Sequence, residues 1–163
     1  MNAVRSMSIA KPVAAAAGAA VTVALIGMTV TDLGPWYQSL QKPAWQPPDW
    51  LFGPVWTLIF ALAALSAVIG WRSTTGPARR EWMVVLFAVN GFLNILWSLL
   101  FFRLHRPDWA LAEVGLLWLS IAALMIFLGR FAKPAAWLLA PYLVWVSFAA
   151  VLNATVVKLN APF

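Results

Sequence analysis

The chain has 163 residues, 63% of them hydrophobic and only 10% charged, which leaves far too little polar surface to coat a soluble globule. Its net charge of +6 comes from lysines and arginines set singly or in pairs in short connections, so no basic stripe follows a phosphate backbone and no nucleic-acid partner is expected. The absence of cysteine and the single histidine, His105, exclude disulfides, thiolate metal centres and covalent haem attachment. No metal site and no required cofactor are expected.

The first apolar stretch runs from Pro12 to Thr31 behind Arg5 and Lys11. It is long enough to cross a bilayer and longer than a usual signal core, so it reads as a retained membrane helix. Small residues at four-residue spacing, Ala14 with Gly18 and Ala20 with Ala24, allow close helix approach and make a homodimer an expected state. The next segment, Asp32 to Pro48, carries Trp36, Tyr37, Pro43, Trp45, Pro47 and Pro48. It is too aromatic and proline-rich for a solvated linker, and it is expected to fold back as a lid over the helix ends.

Four further apolar stretches follow, Asp49 to Trp71, Arg80 to Phe102, Asp108 to Gly129 and Pro134 to Val157. Each carries roughly 20 residues, enough for ~30 Å of helix. The expected fold is therefore an all-α, polytopic membrane protein, with five transmembrane helices forming one domain over residues 1–163. Pro134 sits at a helix start, where a missing amide proton costs little. Pro54 and Pro141 lie deeper and should bend their helices or loosen the first turns.

The face that carries the N-terminus holds Arg5, Lys11, Arg72, Arg79, Arg80, Arg130 and Lys133, against Lys42, Arg103, Arg106 and Lys158 opposite. That bias favours a cytoplasmic N-terminus in a bacterial inner membrane. An outer or organellar membrane would rename the compartments without changing which loops share a face.

Glu113 is the one charged residue well inside a span, and an intramembrane acid marks a functional site by default. Counted at 1.5 Å per residue from the lid side, Glu113, Trp97 and Asn153 lie about 8 Å deep, and Trp56 and Asn94 about 10 to 12 Å. On the third stretch Asn90, Asn94, Trp97 and Phe101 fall on one stripe. On the fifth, Tyr142, Ala149 and Asn153 do the same with Trp145 beside them. Both stripes should face inward, around a polar and aromatic cavity beneath the lid.

Each feature also has a plainer reading. Trp36, Trp45, Trp50, Trp71, Trp82, Trp109 and Trp137 sit at span ends, as an interfacial belt would. Trp118, about 140° around its helix from Glu113, is read as packing or lipid-facing. Asn94 and Asn153 lean to structural roles, and Glu113 is either helix glue, bonded to a neighbour such as Asn94, or a ligand group.

The order Lys42-Pro43-x-Trp45-x-Pro47-Pro48, Phe52, Val55-Trp56, then Leu93-Asn94-x-x-Trp97 with Phe101-Phe102, Trp109-Ala110-Leu111 with Glu113, Pro141-Tyr142-Leu143-x-Trp145 and Leu152-Asn153 resembles the translocator protein family. Its members are also called tryptophan-rich sensory proteins or peripheral benzodiazepine receptors. The resemblance implies a five-helix bundle, commonly dimeric, that binds porphyrins and in some members sterols or synthetic aromatic ligands in a pocket capped by the first loop. It implies a role in tetrapyrrole handling or stress signalling. By position, Trp56 and Trp145 match pocket tryptophans associated with light-dependent porphyrin breakdown in bacterial relatives, while Trp45, Asn94 and Trp97 match motif residues.

Two departures stand out. Glu113 replaces the usual Asp. In the C-terminal sterol-recognition pattern, Leu152 and Lys158 flank Ala154 where an aromatic Tyr is wanted, which weakens the case for sterol binding there.

The expected ligand site is therefore Trp45, Trp56, Asn94, Trp97, Glu113, Tyr142, Trp145, Ala149 and Asn153, and the expected ligand is a porphyrin or haem held in a receptor or carrier surrounded by membrane lipid. Indole faces stack on the macrocycle, and amides, Glu113, Lys42 or Arg106 engage its polar edge. One alternative is a light-dependent porphyrin-degrading enzyme using Trp56 and Trp145, although no general base, nucleophile or metal set accompanies them. Another is a proton-coupled exporter working through Glu113.

Overall fold

A computed structural model describes residues 10–163; Arg5, counted above among the topology signals, lies outside them. Among the described residues, five stretches are long and apolar enough to cross a membrane. The elements in order are α1 (Ala10–Val30), α2 (Pro35–Ser39), α3 (Asp49–Ser73), α4 (Pro77–Ser98), a π-helical turn (Leu99–Arg103), α5 (Pro107–Gly129), α6 (Lys133–Trp137) and α7 (Ala140–Asn160). The chain is thus an all-α polytopic membrane protein.

The bundle is built around α5. Ala110, Val114, Leu117, Ile121, Leu124 and Leu128 recur every three or four residues and are all buried, the stripe a helix needs in order to pack on neighbours from both sides. α4 packs against one flank of α5 and α7 against the other, while α1 lies across α3 and α4. On the face nearest the N-terminus, α3 meets the short α6, where the buried Ser66 hydroxyl donates to the Ala135 carbonyl at 2.7 Å.

Two boundaries differ from the sequence reading. The fifth span is two helices: α6 ends at Trp137 and α7 starts at Ala140. Pro141, second in α7, has no amide proton for the Trp137 carbonyl, and its ring would crowd that carbonyl in a continuous helix. The third span closes in a π turn at residues 99–103, with the Leu104 amide bonded to the Leu99 carbonyl at 2.9 Å. The wider turn changes the rotation per residue, so Phe101 and Phe102 both reach inward contacts. α3, by contrast, runs unbroken through Pro54.

α1 differs from the rest in burying none of its residues. It packs on α3 and α4 and comes close to α4 at Gly91, where an added Cβ would stand 3.0 Å from Val23 Cγ2. Gly18 has open space around it, so within one chain the Ala14–Gly18 spacing makes no helix contact.

Candidate functional site beneath the lid

Segment 32–48 folds over the helix ends, as its composition suggests, and its side chains anchor it at three places. Trp36 stacks on His105 with centroids 4.1 Å apart and meets Phe101 edge-on at 6.2 Å. Tyr37, buried, packs on Phe102 and donates its hydroxyl proton to Asp49 Oδ1 at 2.8 Å. The third anchor pairs Gln41 with Asn160: the Gln41 amide donates to Asn160 Oδ1, and Asn160 Nδ2 donates to the Gln41 carbonyl, both at 2.8 Å. Lys42 adds a cation over the Tyr37 ring at 3.7 Å. Burial, and then the bond to Asp49, raises the Tyr37 phenol well above its ordinary range.

Below the lid the two expected stripes do face inward. Asn94 Nδ2 donates to the Tyr142 hydroxyl at 3.1 Å. Trp97 Nε1 donates to Asn153 Oδ1 at 3.2 Å, and Asn153 Nδ2 donates to the Pro107 carbonyl at 2.9 Å. Asn94 and Asn153 therefore tie α4, α5 and α7 together, a structural role for both amides.

The indoles form a wall between α3 and α7. Trp56 meets Tyr142 edge-on at 5.9 Å and stacks on Phe60 at 5.5 Å. Trp145 packs between Phe52 at 5.5 Å and Phe148 at 5.4 Å, and the lid residue Trp45 leans on Phe148 at 5.8 Å. Ala149 is half-buried on α7 next to this wall.

Among the described residues four buried side-chain polar atoms have no hydrogen-bond partner, and apart from Arg80 Nε on the opposite face they are both carboxyl oxygens of Glu113 and Nε1 of Trp145. Asn94 Nδ2 donates to Tyr142 and Glu113 has no hydrogen-bond partner among the described residues, so the bond to Asn94 that one of its two readings offered is absent. Orphaned buried groups of this kind are rare and mark either a functional site or a place for an unseen polar partner.

Phe148 escaped the sequence reading, and Phe52 and Phe102 entered it as motif residues without a place in the expected site. Phe148 lies three residues after Trp145, the helical spacing that brings ring to ring, while Phe52 meets Trp145 across from α3. Of the presumed belt, Trp45, Trp50, Trp82, Trp109 and Trp137 are exposed. Trp36 and Trp71 are instead partly buried, one stacked on His105 and the other beneath the Arg80 guanidinium at 4.9 Å. Trp118 is on the outer surface, donating to the Ser147 hydroxyl at 2.9 Å.

A cavity of about 960 Å³ lies elsewhere, in the half of the bundle nearer the N-terminus. Of the nine expected site residues only Asn94 and Tyr142 line it, at its inner end. Its walls are largely alanine: Ala15, Ala16, Ala19 and Ala20 from α1, with Ala63 and Ala67 from α3. Of the small residues expected to bring helices together only Ala20 lines this space.

The TspO/MBR family model matches residues 13–159. The chain is 44% identical over 149 residues to a tryptophan-rich protein TspO of Chlorobaculum tepidum, covering 88% of this chain and 92% of the relative. It is 35% identical over 133 residues to a protein of the same name from Archaeoglobus fulgidus, covering 82% and 85%. It is also 35% identical over 119 residues to the translocator protein of Ovis aries, covering 72% and 70%. With the five apolar helices, the lid and the tryptophan wall, these matches show that the chain belongs to the TspO/MBR family of integral membrane proteins.

Proposed function

We propose that the chain is a membrane receptor or carrier for a porphyrin or haem-type tetrapyrrole, bound beneath the lid and serving tetrapyrrole handling or stress signalling. The observation that carries this reading is the set of unpartnered buried atoms, Glu113 Oε1 and Oε2 and Trp145 Nε1, on helices whose neighbouring rings form an apolar wall. A flat macrocycle with a polar edge answers both halves of that description, since its faces stack on indole and its edge supplies hydrogen-bond partners. Lys42 and Arg106, on the lid side, supply cations for carboxylate substituents; Arg106 is already engaged with Asp108 through Nε at 2.8 Å, which leaves Lys42 the better placed of the two.

Titration of protoporphyrin IX into the purified protein tests this. Tryptophan fluorescence should quench saturably, and Trp56→Ala or Trp145→Ala should weaken binding. Unchanged affinity in both variants removes the site assignment. The chain's own residues also leave room for a photochemical role, because Trp145 lies in edge and face contact with other rings and its indole is an electron donor. Illumination separates the readings: loss of the Soret band with a new product, dependent on Trp145, favours degradation, and clean recovery of the ligand excludes it.

A further inference from the structure

The cavity in the N-terminal half has the shape of a fork. Val23 of α1 and Gly91 of α4 both line it and approach closely, and beyond them its inner end reaches Asn94, Ile95 and Tyr142. From Val23 down to Lys11 the fork runs about 18 Å at 1.5 Å per residue. Ala15, Ala19, Val84 and Ala88 line it and are exposed, so the fork opens sideways to the surroundings of the bundle between α1 and α4. Its volume of about 960 Å³ falls within the range of ligand clefts, roughly 300–1,000 Å³.

The two ends of the fork differ chemically. The long middle is apolar, alanines of α1 and α3 facing Met83, Val84, Phe87 and Ala88 of α4. At the outer end, on the face that carries the N-terminus, stand Lys11, Arg80 and Trp71. Arg80 does not simply extend into water, as an interfacial arginine would. Its guanidinium lies over the Trp71 ring at 4.9 Å, Nη2 donates to the Thr74 carbonyl at 3.0 Å, and Nε is buried with no partner among the described residues. A fixed cation with a spare donor therefore sits at the mouth of an apolar slot, with Lys11 beside it.

We infer that this fork is a second binding site, meeting the one beneath the lid only at Asn94 and Tyr142, for a single-chain amphipath with an anionic head: the acyl chain lies along the alanines and the head meets Arg80 and Lys11. Charge complementarity fixes the orientation, and the slot between α1, α3 and α4 fixes the elongated shape. A long-chain carboxylate and a lysophospholipid carrying phosphate share this chemistry.

The test uses the full chain in phosphatidylcholine nanodiscs with palmitic acid carrying a photoactivatable diazirine on its chain, beside the matching alcohol and the matching lysophosphatidate. The anionic probes should label the fork-lining stretches of α1, α3 and α4 saturably, several-fold above the alcohol. Labelling by one anionic probe alone assigns the head group and still supports the site. The double variant Lys11→Gln/Arg80→Gln should lower labelling several-fold, and Ala67→Phe should lower it by filling the slot. In Ala67→Phe, saturable quenching by protoporphyrin IX should persist, which shows that the protein is folded and separates failure of this site from failure of the other. Equal labelling by the alcohol, or label spread evenly over outward residues such as Leu116 and Leu119, overturns the proposal. So does displacement of the probe by stoichiometric protoporphyrin IX, or a fork that labels only when the protein is monomeric, which would make a second copy its occupant.

Discussion

The two halves of this bundle are held together by different physics. Near the lid, helices meet through directional contacts: Asn94 with Tyr142, Trp97 with Asn153, Asn153 with Pro107, and a run of rings from Trp45 through Phe148 and Trp145 to Phe52. Near the N-terminus α1 packs on α3 and α4 without burying any of its residues, and a large space lies between the three helices. In lipid, where hydrophobicity does not favour one helix neighbour over another, fixed geometry comes from hydrogen bonds and tight packing. The lid half has both, and the opposite half keeps an open space between its helices.

This contrast can be broken from either side. The largest effect is expected at Asn153, almost fully buried and bonded at both ends of its amide. Asn153→Ala strands Trp97 Nε1 and the Pro107 carbonyl and should cost about 1–3 kcal/mol, read as a lower midpoint of thermal unfolding in detergent. A change within error would show that the lid half does not depend on its polar ties. Next, Trp145→Ala should weaken protoporphyrin IX about tenfold, roughly 1.4 kcal/mol, while Trp118→Ala on the outer face should not; equal losses would mean that the indole wall is ordinary packing.

Smaller effects sharpen the picture of the lid. Asn160→Ala removes both bonds to Gln41, worth about 0.5–1.5 kcal/mol each. Faster ligand release and faster amide exchange at Gln41 should follow, and an unchanged release rate would mean that ligands do not leave past the lid. The smallest effect is a pH dependence. Because burial and Asp49 raise the Tyr37 phenol from its ordinary value of 10.0, the protonated form is favoured in the folded lid. Its stabilisation is fully present below about pH 10 and is lost as pH rises toward the folded value. Lid order should be flat across neutral pH and fall in alkali, with the alkaline step absent in Tyr37→Phe. A fall already near neutrality would contradict the assignment.

Hydropathy made the five spans legible, because nothing but a membrane explains stretches as apolar as Pro12 to Thr31. Helical spacing alone put Asn94, Trp97 and Asn153 on inward faces. The lid was legible too, since Trp36, Tyr37 and Trp45 have no reason to crowd a solvated linker. The π turn was not: it is defined by which carbonyl the Leu104 amide chooses, and residue types do not encode that choice. Nor was the fork, because an alanine run is equally consistent with close helix contact and with a gap, and the outcome depends on where Val23 and Gly91 fix the crossing. Trp71 shows the same limit, since its position at a helix end matches a belt residue until Arg80 is seen above it.

Gln41 and Asn160 stand 119 positions apart, so the clasp they form joins the first loop to the far end of the last span. During synthesis the chain enters the membrane in order, and long-range closures wait for their later partner. The loop therefore cannot be fastened until all five segments are threaded and seated, which makes the clasp one of the last contacts the molecule acquires and a built-in mark that assembly is complete.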